Sequence, residues 1–145
     1  VIFTKSAILA TVLIFATGLG GCGYENTADI GPGQVIPRGD GTLIGRIKVE
    51  VIKEPRAFEG HAELLYWTRN GWEVIDKKIY RKHNLPPVGK DEWVKPFLES
   101  YCFKGRWRMQ MHFYGITQDG TTVKPTWAYW PGPGKKAYFK IRKCD

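Results

Sequence analysis

Residues 102–144 read CFKGRWRMQMHFYGITQDGTTVKPTWAYWPGPGKKAYFKIRKC, the densest strand-like and aromatic stretch of the chain. From Arg106 the residues alternate. Trp107, Met109, Met111 and Phe113 fall on one parity; Arg106, Arg108, Gln110, His112 and Tyr114 fall on the other. Successive strand residues point to opposite faces, so the first set faces a core and the second faces away. Asp119-Gly120 is a hairpin turn signal. A two-residue loop there sets Ile116 opposite Val123, His112 opposite Trp127 and Gln110 opposite Tyr129. Ala128 and Trp130 then join the core face, while Trp127 and Tyr129 join the outer one. Pro125 makes the returning strand an edge, because proline cannot donate to a ladder. Pro131-Gly132-Pro133-Gly134 is the next turn. Lys135 to Cys144 reads as a last strand, with Ala137, Phe139 and Ile141 inward and Tyr138, Lys140 and Arg142 outward. Cys144 falls on the outward parity.

Upstream, His61 to Arg81 is a second hairpin around Asn70-Gly71. A two-residue loop at Asn70-Gly71 pairs Glu63 with Lys78, Leu65 with Asp76 and Trp67 with Val74. Both faces carry apolar residues; Ala62, Leu64, Tyr66, Ile75 and Ile79 are read as inward. Leu43 to Lys53 alternates as a half-buried strand, with Leu43, Ile47, Val49 and Val51 on one side and Arg46, Lys48 and Glu50 on the other. Lys82 to Ser100 is read as irregular, with one helical turn at Asp91-Glu92-Trp93-Val94 and Trp93 plugging an end of the core. About seven short strands with turn signals predict an all-β chain folded as a small antiparallel β-sandwich, immunoglobulin-like, with a small β-barrel as the alternative.

The N-terminus is of a different kind. Lys5 precedes a ten-residue apolar run, Ala7 to Ala16, too short to span a bilayer as a helix and laid out like a secretory signal. It is followed by Leu19-Gly20-Gly21-Cys22, which resembles the bacterial lipobox. The resemblance covers residues 1–22 only. It implies cleavage before Cys22, a diacylglycerol thioether on that cysteine and acylation of the new N-terminus. The alternative is ordinary signal peptidase cleavage and a secreted chain with Cys22 free. Lipidation takes Cys22 out of the disulfide count and leaves Cys102 and Cys144 as one pair. Residues 1–21 are thus read as a signal peptide, 22–41 as a lipidated tether and 42–145 as the β-sandwich domain. The tether assignment rests on Gly31-Pro32-Gly33, Pro37, Gly39 and Gly41, which break regular elements. Arg38-Gly39-Asp40, the tripeptide that integrin ligands carry, is read as a chance occurrence in a turn. The expected location is the outer face of the cytoplasmic membrane.

Lys and Arg outnumber Asp and Glu, 22 to 14, and Lys5 is the only charge before Cys22. A basic exported domain favours anionic neighbours: phospholipid head groups, wall polymers or acidic glycans, with nucleic acid set aside. The sequence excludes much chemistry. Ser100 is the only serine after Cys22 and lies outside any nucleophile elbow. His61, His83 and His112 are too isolated to read as zinc ligands. Glu63 and Asp76 fall on one face, as paired carboxylates would, but Lys78 opposite Glu63 reads as an ordinary salt bridge. No metal or cofactor is expected. What survives is a basic aromatic face, Arg106, Arg108, His112, Trp127 and Tyr129, whose rings stack on sugars and whose guanidinium groups fork onto carboxylate or phosphate. The chain is therefore read as a non-catalytic binding module. The competing reading is a secreted enzyme inhibitor, with the Trp130–Gly134 loop as its contact, or a hydrolase of unknown substrate.

Overall fold

The computed structural model describes residues 28–51, 56–81, 91–95, 97–116, 118–120 and 122–145. Residues 1–27, with the expected signal peptide and Cys22, lie outside the described residues. Among the described residues nine strands run in chain order: β1 Ala28–Pro37, β2 Thr42–Val51, β3 Ala57–Thr68, β4 Gly71–Arg81, β5 Asp91–Trp93, β6 Leu98–Tyr101, β7 Gly105–Ile116, β8 Thr122–Trp130 and β9 Phe139–Ile141. They form two antiparallel sheets that do not close into a barrel. One sheet has β2 between β1 and the pair β5 and β6, which lie end to end along it; the other runs β4-β3-β7-β8, with β9 also on β7. The chain crosses from the first sheet to the second after β2, back after β4, and over again after β6. That is the Greek-key route of an immunoglobulin-like sandwich, with nine strands rather than about seven.

The core lies between the sheets and follows from strand parity. Leu43, Ile47, Leu64, Trp107, Met109, Met111, Leu98 and Ile141 are buried there. β3 alternates almost throughout, with Phe58, Gly60, Ala62 and Leu64 inward. Close approach of the sheets needs glycine at two places. A Cβ on Gly33 would lie 2.6 Å from the Trp130 ring, and one on Gly45 would lie 2.6 Å from Met109 Sδ.

Several expectations are corrected. Residues 28–37 are not tether but strand: Gly33 to Pro37 pair with Ile47 to Leu43, and a register shift between Ile30 and Gly33 absorbs Pro32. An edge strand tolerates proline and a bulge, so the punctuation that argued against a strand is accommodated. Arg38-Gly39-Asp40 is the turn into β2. Asp40 accepts from the Thr42 N–H at 3.0 Å and from the Thr42 hydroxyl, and these bonds hold its carboxyl below the ordinary range. Asp91–Trp93 is a strand, not a helical turn. Val94 is the buried residue there, its N–H bonded to Ile47 O, while Trp93 carries the Arg46 guanidinium 4.1 Å over its ring.

The first hairpin turns one residue early. Thr68 pairs with Gly71, so the loop is Arg69-Asn70, and Trp67 faces Trp72 with rings 5.3 Å apart. Thr68 Oγ1 accepts the Asn70 N–H, which fixes this turn. A register shift between Leu64 and Leu65 then sets Glu63 opposite Lys77 and Ala62 opposite Lys78. Ala62 and Leu64 are buried as expected, but Ile75 and Ile79 are each 39% exposed, and Tyr80 is the buried residue of β4. Asp76, opposite Leu64, accepts the Glu99 N–H at 2.7 Å, whereas Glu63 accepts from Gln110. The two carboxylates are thus engaged separately.

Cys102 and Cys144 form a disulfide with Cα atoms 5.7 Å apart. β9 ends at Ile141, so strand parity does not govern Cys144, and both cysteines pack half-buried against the core.

Candidate functional site

The outer face of the five-stranded sheet is built around β7. Its register with β8 places His112 opposite Trp127 and Gln110 opposite Tyr129. Its register with β3 places His61 opposite His112, Glu63 opposite Gln110 and Leu65 opposite Arg108. All five predicted residues lie on this face, but they are not equally open. Trp127 is 47% exposed and Arg106 is exposed; His112 and Tyr129 are half-buried; Arg108 is only 8% exposed. Arg108 is the correction: it is a buried cation rather than a solvent-facing one.

Three rings make a row. Trp127 and Tyr129 are nearly parallel, 9° apart with centroids at 6.1 Å, and His112 stacks on Trp127 at 4.8 Å and 20°. Tyr114 continues the row at 6.1 Å from His112. Burial, and then His61, push the His112 pKa down.

The arginines are held by aromatic residues that sequence reasoning did not connect to the face. The Arg108 guanidinium lies 4.6 Å from the Trp72 ring centroid, and that of Arg106 lies 4.9 Å from the Tyr138 ring. The misplaced turn hid Trp72. Tyr138 was legible as outward, yet nothing placed it beside Arg106, because residues 131–138 swing out between β8 and β9 before the chain returns to pair with Gly105–Trp107. Pro131, Pro133 and Gly134 in this excursion are exposed, but Trp130 is buried under β1.

A second cluster closes the β3 side of the face. Glu59 accepts from Tyr114 OH at 2.8 Å and Arg81 Nε at 3.1 Å, and lies 2.6 Å from His61 Nε2. His61 and Tyr114 hold its carboxyl below the ordinary range, and Glu59 in turn pushes the Tyr114 phenol up. This acid has Arg81 as its counter-charge and lies on the β3 side of the face. Among the described residues, no group of three or more His, Cys, Asp or Glu side chains is placed to hold a metal ion.

No family model, no curated protein and no solved structure matches the chain.

Proposed function

We propose that the chain is a membrane-tethered, extracytoplasmic binding module, non-catalytic, whose outer β7–β8 face holds an anionic envelope polymer. The observation that carries this is the row Tyr129–Trp127–His112, with Trp127 open to solvent on a face flanked by Arg106 and Arg108. Parallel, partly exposed rings offer flat apolar surface to sugar rings, and the basic flank favours acidic ones. A stacking role predicts that Trp127→Ala weakens binding to acidic polysaccharide about tenfold or more, a loss of roughly 1.4 kcal/mol. Calorimetric titration of the full chain in detergent measures it. Affinity should also fall as salt rises. Unchanged affinity in the Trp127 variant would leave the face as ordinary solvated surface.

The anchor belongs to the same reading. Cys22 precedes Ala28 by six residues, so the segment between anchor and β1 reaches at most about 20 Å. The platform would therefore stand close to the bilayer rather than on a long leash. Cys22→Ala is expected to move the protein from the detergent phase to the aqueous phase or to trap the uncleaved precursor. Wild-type protein found only in the aqueous phase would end the lipoprotein reading.

A further inference from the structure

Arg108 breaks a rule that the rest of the fold keeps. Buried charges are normally paired, because desolvating an ion without a counter-charge is costly. Arg108 is 8% exposed, and among the described residues its Nε has no hydrogen-bond partner. Its Nη2 makes one long bond, 3.4 Å, to Gln110 Oε1. No carboxylate pairs with it among the described residues. Glu63, the nearest acid along the ladder, accepts from Gln110 instead. The cation rests on the Trp72 ring, opposite Leu65, beside Tyr129. The guanidinium offsets part of the upward push that burial gives the Tyr129 phenol.

Arg108 also sits at a particular place in the sheet. β8 stops at Trp130 opposite Met109, and β9 begins at Phe139 opposite Trp107. Arg108 lies at the break between them, the one position of β7 from 105 to 113 with no strand partner on that side among the described residues. Arg106 is turned to Tyr138, so a single guanidinium serves this spot. One positive charge between flat rings suits a planar monoanion, and the neighbouring row of rings suits a sugar.

We infer that Arg108 is the anion-reading group of this face and that it takes the carboxylate of a uronic acid unit whose ring stacks on Tyr129 and Trp127. This rests on the reading of the face as a glycan platform and deepens it. A uronate carries ring and carboxylate in one residue. A polyglycerol phosphate carries its charge on a backbone with no ring to stack, and a neutral glycan leaves the guanidinium unpaired.

The test compares oligogalacturonate, its methyl ester and polyglycerol phosphate, titrated into the full chain in nonionic detergent at low salt. Wild-type protein should bind oligogalacturonate about tenfold or more tightly than the ester. Arg108→Met should bring that ratio to within about threefold while leaving ester affinity nearly unchanged, and its melting temperature should hold or rise, since a buried unpaired charge has been removed. Arg108→Lys, measured in parallel, keeps the charge but not the planar fork and should also lose most of the ratio. No binding of either galacturonate form by wild-type protein would sink the glycan platform itself. Equal affinity for acid and ester in wild type, or a ratio unchanged in both variants, would leave the platform standing and overturn the role of Arg108. Polyglycerol phosphate bound as tightly as oligogalacturonate would overturn the uronate assignment.

Discussion

Trp107→Ala is expected to destabilise the fold by about 3–5 kcal/mol, near the top of the range for a single buried aromatic. The indole is fully buried in the middle of the five-stranded sheet, where Trp107 pairs with Tyr66 on one side and Phe139 on the other. Its ring sits 4.7 Å from that of Tyr66. Its Nε1–H donates to Phe103 O at 2.8 Å, which ties the β6–β7 connection down onto the core. Alanine removes the volume and leaves that carbonyl to find water. Trp107→Phe keeps most of the volume and loses the bond, so about 1–2 kcal/mol is expected. Urea denaturation of the two variants measures both numbers. A loss under about 1 kcal/mol for the alanine variant would mean that this region is not packed as described.

Trp107 was legible because alternation alone decides its face, and alternation survives errors in the turn. The β7–β8 register shows why that protection has limits. The expected two-residue loop is wrong: Ile116 pairs with Thr122, leaving five residues between them. Left alone, that shift would have turned Trp127 inward. Between Phe113 and Gly115 the ladder shifts again, with Lys124 and Pro125 set against Tyr114 alone. The two irregularities cancel, so His112 still meets Trp127 and Gln110 still meets Tyr129. The pairing across this face is the expected one although the turn is not, and Pro125 marks the place where the compensation occurs.

The β3–β4 hairpin has no such cancellation where it mattered. Moving the loop from Asn70-Gly71 to Arg69-Asn70 brings Trp72 opposite Trp67 and over Arg108. No pattern count finds this, because Asn-Gly is the stronger turn signal and only the Thr68 hydroxyl selects the neighbour. The exposure of Ile75 and Ile79 comes from the register shift between Leu64 and Leu65. It leaves Ile75 without a partner and sets Ile79 opposite the outward His61, while Tyr80 comes opposite Gly60 and is buried. The buried, unpaired state of Arg108 was illegible for the same reason: it depends on Trp72 arriving from β4 and on β8 stopping at Trp130.

Loss of the Cys102–Cys144 bridge should cost about 4 kcal/mol on the chain-entropy account, since the bond closes a loop of 42 residues' separation. On a domain of this size that is a fall in melting temperature on the order of 15 °C. The structural consequence should be local first. β9 is only three residues long and holds to β7 through Gly105–Trp107. Ile141 fills the core from it, and residues 142–145 are not in a strand. The bridge fixes that end to Cys102, whose own N–H donates to Gly41 O at 2.8 Å. Cys144→Ser, or reduction of the native protein, should therefore speed amide exchange in Phe139–Ile141 before it does so in the centre of β3 or β7. Native oxidised protein should resist alkylation at both cysteines. Freely alkylated thiols at 102 and 144, or melting unchanged by reductant, would remove the bridge from the account. Trp107 and the disulfide act on the same strip, one through Phe103 O and the other through Cys102. Their effects should not add: a double-mutant cycle of Trp107→Phe with Cys144→Ser is expected to show a coupling above about 0.5 kcal/mol. Strict additivity would mean that the two restraints hold separate parts of the fold.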